Sequence, residues 1–435
     1  MTARITRRGI EIPKSMASLC KRARDELTVA PLPSHAVPRP FRFPAYVDLP
    51  EKLIVPAHWA PARAHAHDAR PPGHVADNEF VGTLREDLEQ PAAVEATLES
   101  LRTKGGAVLS LAVGHGKTCC GLYVACALRA KTVIVVHKTF LAEQWADRIR
   151  QFVPTASISF IRGATCDTSG DFVIAMIQTL LSRSYPPSTF DPFSLMIFDE
   201  AHHVAAKVFS QVMFSLNTPY TLGLTATPTR KDGLERLLHL YLGPLSYAKT
   251  LQAQSTVTVH IHKYTCDAYA MLPPNNARGD VDYVKLMTLL AKNAARTSRI
   301  ADLIATDLAG RHVLVLSHRR AHLEALLADL QTRGVDAALY VGGIKDVPPS
   351  AVILSTYAYV SEGFDEPRLD ALVLTTPASD VAQTVGRILR GNDPSKTPVI
   401  HDVVDQWSVC FAQAAKRRKQ YLASGFMIRH SINQM

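Results

Sequence analysis

From about Thr83 the chain alternates short apolar runs with longer amphipathic stretches. Short runs that are apolar throughout read as strands covered on both faces, and their alternation with helices marks a parallel α/β sheet. Leu84 to Leu101 is expected to form an amphipathic helix feeding an apolar strand that starts near Val108. Further strands are expected at Thr132 to Val136, Phe172 to Ile177, Leu195 to Phe198 and Thr221 to Thr225. Each ends in polar or small residues, and on such sheets ligands collect outside the carboxyl ends of the strands.

A second series follows, with helices at 296–309 and 320–333 and strands at His312 to Leu316, Ala337 to Val341, Ala351 to Ser355, Ala371 to Thr375 and Val399 to Val403. Residues 226–295 are less regular and are punctuated by Gly243-Pro244 and Pro273-Pro274, which places a domain junction there. Residues 1–80 are rich in Pro, Arg and His, with short apolar pieces at Phe41 to Val47 and Leu53 to Val55. They read as a small accessory domain of short strands followed by a linker. The expected organisation is thus accessory domain and linker over 1–80, a first α/β domain over 81–245, a connector over 246–295, a second α/β domain over 296–410 and a basic helix over 411–435.

Composition narrows this only a little. A chain of 435 residues, 47% hydrophobic and 20% charged, has room for two to four ordinary globular domains. Its net charge of +9 favours an anionic partner without naming one. The seven cysteines lack any CxxC spacing and read as reduced intracellular thiols. The basic N-terminus MTARITRRGIEIPKS has no long apolar core and no later run could span a bilayer, so a soluble intracellular protein with no membrane partner is expected. His58, His65, His67 and His74 lie close together in sequence, but no cysteine or carboxylate pair completes a ligand set, and an alanine, proline and histidine connector is the better reading. Lys416, Arg417, Arg418 and Lys419 read as the solvated face of a basic helix rather than a dedicated nucleic-acid contact.

Two strings carry chemistry. VLSLAVGHGKTCCGLYV, from Val108 to Val124, runs from an apolar strand through a turn with Gly114 and Gly116 into a helix-competent stretch, the order of a phosphate-binding loop. Glycines let successive N–H groups approach phosphate oxygens, and the helix N-terminus adds partial positive charge. Lys117 is placed to reach the β and γ phosphates and Thr118 to ligate Mg²⁺. Leu111 stands where the motif usually has glycine, and on the local string alone a glycine turn before a helix remains an alternative. The second string, IFDEAHH from Ile197 to His203, ends a buried strand in adjacent acids, which are costly to bury unless they meet a cation. Asp199 is expected to hold Mg²⁺ and Glu200 to orient or deprotonate the attacking water. GLTATP, from Gly223 to Pro228, follows about twenty residues later; alone it is a threonine-rich strand end. QTVGRILR, from Gln383 to Arg390, sets two arginines about one helical turn apart, suited to γ-phosphate oxygens but also to an ordinary exposed basic helix.

In this order, GHGKT, DEAH, TATP and QTVGRILR resemble the superfamily 2 DEAH-type helicases, whose fold is two tandem RecA-like parallel-sheet domains closing on ATP. Within them the chain looks most like the XPB-type DNA helicases and their large-DNA-virus relatives, including the poxvirus transcript-release DNA helicase. VIVVHKTFLAEQW from Val133, Gly243-Pro244 and SEGFDEPRLDALVL from Ser361 support this. The resemblance implies nucleotide contacts from Gly114, His115, Gly116, Lys117 and Thr118, and metal and water roles for Asp199 and Glu200. It also implies coupling through His202, Thr225 and Thr227, and completion of the catalytic set by Gln383, Arg387 and Arg390. Gly363 and Asp365 are implied near the ribose and phosphates, and Gln90 is the candidate for the glutamine such helicases place ahead of the loop. Strand contacts are implied for His137, Lys138, Gln178, Thr179, Ser317, His318, Thr356 and Glu362. The function so implied is ATP- and Mg²⁺-dependent movement along single-stranded or duplex DNA, 3′ to 5′, in viral transcription beside the transcription machinery. An RNA helicase and an ATPase-silent nucleic-acid-binding subunit are the alternatives.

Overall fold

The computed structural model describes residues 2–32, 40–112, 114–203, 209–226, 232–249, 257–266, 272–277, 279–342, 344, 346–360, 364, 366–378 and 397–430. The chain divides into two compact units, Met1–Thr250 and Leu251–Met435.

The first unit begins with β1 (Ala3–Thr6) and β2 (Gly9–Pro13), then a small ribbon of β3 (Thr28–Val29) and β4 (Phe43–Pro44), and then β5 (Val47–Asp48), β6 (Lys52–Val55) and β7 (Ala66–Asp68). Five of these form a mixed sheet in the order β5-β6-β2-β1-β7. The β1–β2 hairpin turns at Gly9, whose φ of +107° and whose closeness to the Val55 carbonyl leave no room for a side chain. Arg7 at its tip points inward. Its guanidinium donates to the backbone oxygens of Asp191 at 2.7 Å and Phe193 at 3.2 Å and pairs with the Asp191 carboxylate at 3.2 Å.

The larger sheet comprises β8 (Gly106–Leu111), β9 (Thr132–Val136), β10 (Ile158–Arg162), β11 (Thr165–Cys166), β12 (Phe172–Met176), β13 (Leu195–Asp199), β14 (Tyr220–Thr225) and β15 (Leu245–Lys249). Its order is β11-β10-β12-β9-β13-β14-β8-β15, with only the β10–β11 edge pair antiparallel. Successive side chains take opposite faces. Ile134, Val136, Ile197 and Leu224 join a core with Trp145, Leu122 and Val94 from the helices Thr139–Phe152, Lys117–Ala127 and Gln90–Lys104. Val133, Val135, Met196 and Phe198 join the other core, which runs on through Ile5, Ile10 and Ile12. The N-terminal sheet therefore closes one face of the larger one.

In the second unit the named strands among the described residues all pair in parallel. The strands are β16 (Thr258–Tyr264), β17 (Val313–Ser317), β18 (Ala337–Tyr340), β19 (Val352–Thr356), β20 (Ala371–Leu374), β21 (Val399–Asp405) and β22 (Met427–His430), in the order β18-β19-β17-β20-β21-β16-β22. Helices Ala294–Asp307 and Arg320–Thr332 pack on one face and Ser408–Ala423 reaches both β21 and β22. Two mixed α/β units with parallel sheets match the expected fold class.

Several local differences have clear causes. The helix expected from Leu84 starts at Gln90, because Pro91 is favoured only in a first turn, and a separate 3-10 turn, Glu86–Leu88, precedes it. β16 hides in a stretch with no apolar run, since every second residue is polar. There His262 and His401 stack at 5.0 Å and share a 2.9 Å hydrogen bond. The histidine-bearing stretch after β6 is no loose connector: His58 is half-buried, 3.2 Å from the Thr221 hydroxyl, and desolvation pushes its pKa down to about 3. Arg417 corrects the reading of a wholly solvated basic face. It is 1% exposed and its guanidinium makes two bonds to Asp402, at 2.7 and 2.8 Å, while Lys416, Arg418 and Lys419 are exposed. No helix among the described residues is long and apolar enough to cross a membrane.

Candidate nucleotide and strand sites

The candidate nucleotide residues gather at the carboxyl ends of three neighbouring strands, β13, β14 and β8. Register aligns Asp199 with Leu224 and Thr225 with Ser110, so the acidic pair, the threonine and the loop after Leu111 share one edge. In the loop Gly114 and Gly116 have φ of +87° and +77°, the left-handed region that glycine enters freely. The helix starting at Lys117 follows at once, with Thr118 in its first turn. The Lys117 ammonium donates to the Leu111 carbonyl at 3.2 Å. Leu111 itself is fully buried, its side chain serving the core.

Gln90, the residue ahead of the loop, is 3% exposed and touches it directly. Its amide nitrogen donates to the His115 carbonyl at 3.0 Å and its oxygen accepts from the Arg85 N–H at 2.9 Å. A Cβ on Gly116 would sit 2.3 Å from that amide nitrogen, so a side chain there would have to displace Gln90 from the loop. His115 is half-buried, and burial followed by the nearby Lys249 and Lys117 lowers its pKa.

Asp199 is buried at the strand end. The Trp145 indole donates to one carboxylate oxygen at 2.9 Å and the Glu200 N–H to the other at 3.0 Å. Burial first, and Glu200 second, push its pKa up. A buried carboxylate whose charge is this poorly compensated is suited to receive a hard cation, and an oxygen donor set of Asp199 and the Thr118 hydroxyl is the kind Mg²⁺ accepts. Glu200 adopts φ of +50°, costly for a residue with a side chain. Its carboxylate lies 3.4 Å from His202 Nδ1, which is 3.3 Å from the Thr225 hydroxyl. The acid, the histidine and the next strand's threonine are thus brought together. Trp145 is the contributor that sequence reasoning missed; it lies in VIVVHKTFLAEQW, where it reads as an ordinary core aromatic.

The candidate strand residues also follow strand ends, but they divide by exposure. In the first unit His137 and Lys138 follow β9, and Gln178 donates to the His137 carbonyl at 2.7 Å while remaining exposed. Thr179 is buried, its hydroxyl accepting from the Gly163 N–H at 3.1 Å. In the second unit Ser317 is fully buried and bonded to His322 Nδ1 at 3.1 Å. His318 is exposed, bonds the Thr376 hydroxyl at 2.9 Å and leans on Tyr357 with ring centres 4.5 Å apart. The Thr356 hydroxyl accepts from the Tyr359 N–H at 3.2 Å. Thr227, Glu362, Gly363, Asp365, Gln383, Arg387 and Arg390 lie outside the described residues. Among the described residues no group of His, Cys, Asp and Glu is arranged to hold a metal without a substrate's help, His65, His67 and His74 included.

Similarity to known proteins agrees with this geometry. Residues 84–230 match the family of the type III restriction enzyme, res subunit. The chain is 29% identical to a protein of Acanthamoeba polyphaga mimivirus named "Putative ATP-dependent RNA helicase", over 96% of this chain and 84% of that one. It is 24% identical to a "Putative helicase" of Invertebrate iridescent virus 6, over 81% and 83%. A protein of African swine fever virus, also named "Putative ATP-dependent RNA helicase", is 23% identical over 74% of this chain and 68% of that one. Among solved structures, the S. cerevisiae Dbp5 variant bound to RNA and ADP BeF3 superposes with a TM-score of 0.52 at 13% identity, covering 78% of this chain and 89% of that one. The Pyrococcus furiosus Hef helicase domain gives 0.50 at 14%, covering 78% and 100%. The ordered motifs and the two parallel-sheet units therefore sit in a chain that is similar, over most of its length, to viral proteins named as helicases, and whose fold is similar to that of solved helicase structures.

Proposed function

We propose that the chain is an ATPase that couples hydrolysis to movement along a nucleic acid strand. The observation that carries this reading is the shared edge of β8, β14 and β13, where a glycine-bearing loop, a lysine, the buried Asp199 and the half-buried Glu200 meet. When bound, Mg²⁺ supplies charge neutralisation at the phosphates. Gly114, His115 and Gly116 cradle phosphate oxygens through their N–H groups, and Lys117 leaves the Leu111 carbonyl to meet the β and γ phosphates. The Glu200 carboxylate orients the attacking water and takes its proton. His202 and Thr225 hold that carboxylate in its strained position and relay its state to the next strand. Half-buried His137 and Lys138 and exposed Gln178 grip phosphates and sugars, which gives indifference to base sequence. The buried hydroxyls of Thr179 and Ser317 shape the strand-end loops instead.

DNA is the strand we favour, from the XPB-type resemblance, with 3′ to 5′ movement and a viral transcription setting resting on the same ground. A second reading, an RNA helicase, is favoured by the names of the viral relatives and by the RNA-bound Dbp5 neighbour. ATPase stimulation by single-stranded DNA, duplex DNA and RNA separates the two, with polarity read on tailed duplexes. Lys117→Ala and Glu200→Gln should each lower turnover by about 100-fold or more. Arg387→Ala should keep nucleic-acid binding and lose hydrolysis. Unchanged turnover in Glu200→Gln would falsify the water-activating role, and nucleotide binding without turnover on any polynucleotide would make the chain a silent subunit.

A further inference from the structure

Strand β15 is the last described element before the boundary between the two units at Thr250, and it pairs in parallel with the loop strand β8. Its final residue is tied to the loop by the backbone: the Ala112 N–H donates to the Lys249 carbonyl at 3.1 Å. Its side chains reach the loop by a second route. The Lys249 ammonium, with 11% of its side chain exposed, lies 3.0 Å from the Glu89 carboxylate, and the Tyr247 hydroxyl donates to the other oxygen of the same group. Glu89 has φ of +55° and stands as N-cap of the helix that opens with Gln90. Nothing about a glutamate favours that backbone conformation, so it must be held from outside. The next residue, Gln90, holds the His115 carbonyl.

Resting on the nucleotide site proposed above, we infer that Lys249 and Tyr247 are positioning residues for the phosphate loop, acting through Glu89 and Gln90. The strand that leaves the first unit thereby grips the start of the loop by its backbone and the loop's centre through a relay of side chains. A displacement of the chain at residue 250 is transmitted to the loop, and loading of the loop is transmitted to the strand. The Tyr247 proton is well committed to this arrangement, its pKa being pushed up to about 12 chiefly by the bond to Glu89.

The experiment is a titration of the full chain with a fluorescent ATP analogue, paired with steady-state ATPase on the strand that stimulates it best. Lys249→Met should weaken nucleotide affinity about three- to fivefold and act on KM more than on kcat, the upper end of what one partly shielded ion pair contributes. Lys249→Arg, which keeps the charge, should recover most of the affinity. A thermodynamic cycle with Gln90→Ala then isolates the relay. If the four residues act in series, Lys249→Met adds less than about twofold once Gln90 is gone. Fully additive losses, or no rescue by arginine, would overturn the inference while leaving the ATPase reading intact. A wild-type chain with no nucleotide affinity would sink both.

Discussion

Arg417 sits in a helix whose neighbours on either side are solvated cations, yet its guanidinium is 1% exposed and makes two bonds to Asp402. Tyr421 adds a third bond to that carboxylate at 3.2 Å, and Arg417 also donates to the Ala378 carbonyl. Burial works against the Arg417 charge, but Asp402 more than offsets it, so the guanidinium pKa stands above its ordinary value. Replacing Arg417 by Met keeps much of the volume and strands a carboxylate that is itself 1% exposed. Removing one partner of a buried pair costs about 3–5 kcal/mol, because the other charge is left without compensation. For a unit of this size each kcal/mol moves the melting point by roughly 2–4 °C, so the second unit should melt about 10 °C lower. Arg418→Met, one residue on and exposed, should change stability by about 0.5 kcal/mol or less. The pair Arg417→Met with Asp402→Leu removes both charges and should restore most of the loss. Thermal and urea unfolding followed by circular dichroism measures the totals, and amide exchange over Ser408–Ala423 localises them. If Arg417→Met and Arg418→Met prove equally mild, the buried-pair argument is refuted.

Three further outcomes follow from other parts of the molecule. Trp145→Phe removes a hydrogen bond to a buried carboxylate, worth about 1.5–3 kcal/mol, and should cut ATPase activity at least tenfold at limiting Mg²⁺ and ATP. A loss below twofold would show that Asp199 is oriented without it. Gly116→Ala meets both the left-handed backbone and the Gln90 amide, so nucleotide affinity should collapse. Gln90→Ala in the same chain relieves the clash but not the backbone cost of about 1 kcal/mol, and a full rescue would contradict the geometry. His58 is held neutral, its folded-state pKa of about 3 lying below the ordinary 6.5. The unfolded chain therefore takes up a proton that the folded chain refuses, and stability is lost as pH falls from about 6.5 towards 3. At pH 5 the deficit is about 2 kcal/mol, and His58→Asn should flatten that part of the first unit's pH–stability profile; an unchanged slope would mean that His58 is hydrated.

Most of the architecture was legible because parallel strands buried on both faces must be apolar throughout. Thr132–Val136 and Leu195–Asp199 could scarcely be anything else. The strands that escaped are those for which this rule relaxes. β10 and β15 carry half-buried or exposed residues near the sheet's edges, and β16 alternates histidines with aliphatics, so its buried imidazoles count as polar in any hydropathy pattern. His58 and Arg417 escaped for a related reason. A residue that is usually solvated gives no local sign of the distant partner that draws it inward, and Thr221 and Asp402 lie far off in sequence or on another element.

The site followed the same logic with a different boundary. Residues whose backbone or charge must meet a phosphate are confined to short spacings, and Gly114 to Thr118 and Asp199 with Glu200 stand out for that reason. Residues that hold those groups in place are free to come from anywhere the fold can reach. Trp145 comes from the helix after the adjacent strand, Gln90 from ahead of the loop strand, and Glu89 is fixed in turn by Lys249 and Tyr247, more than 150 positions away. A nucleotide loop that must close on its ligand and release it needs such supports, because glycines confer approach at the expense of rigidity. That support reaches the loop from the strand leading out of the unit, and in the relay proposed above this ties the loop's grip on a phosphate to whatever displaces the end of that strand.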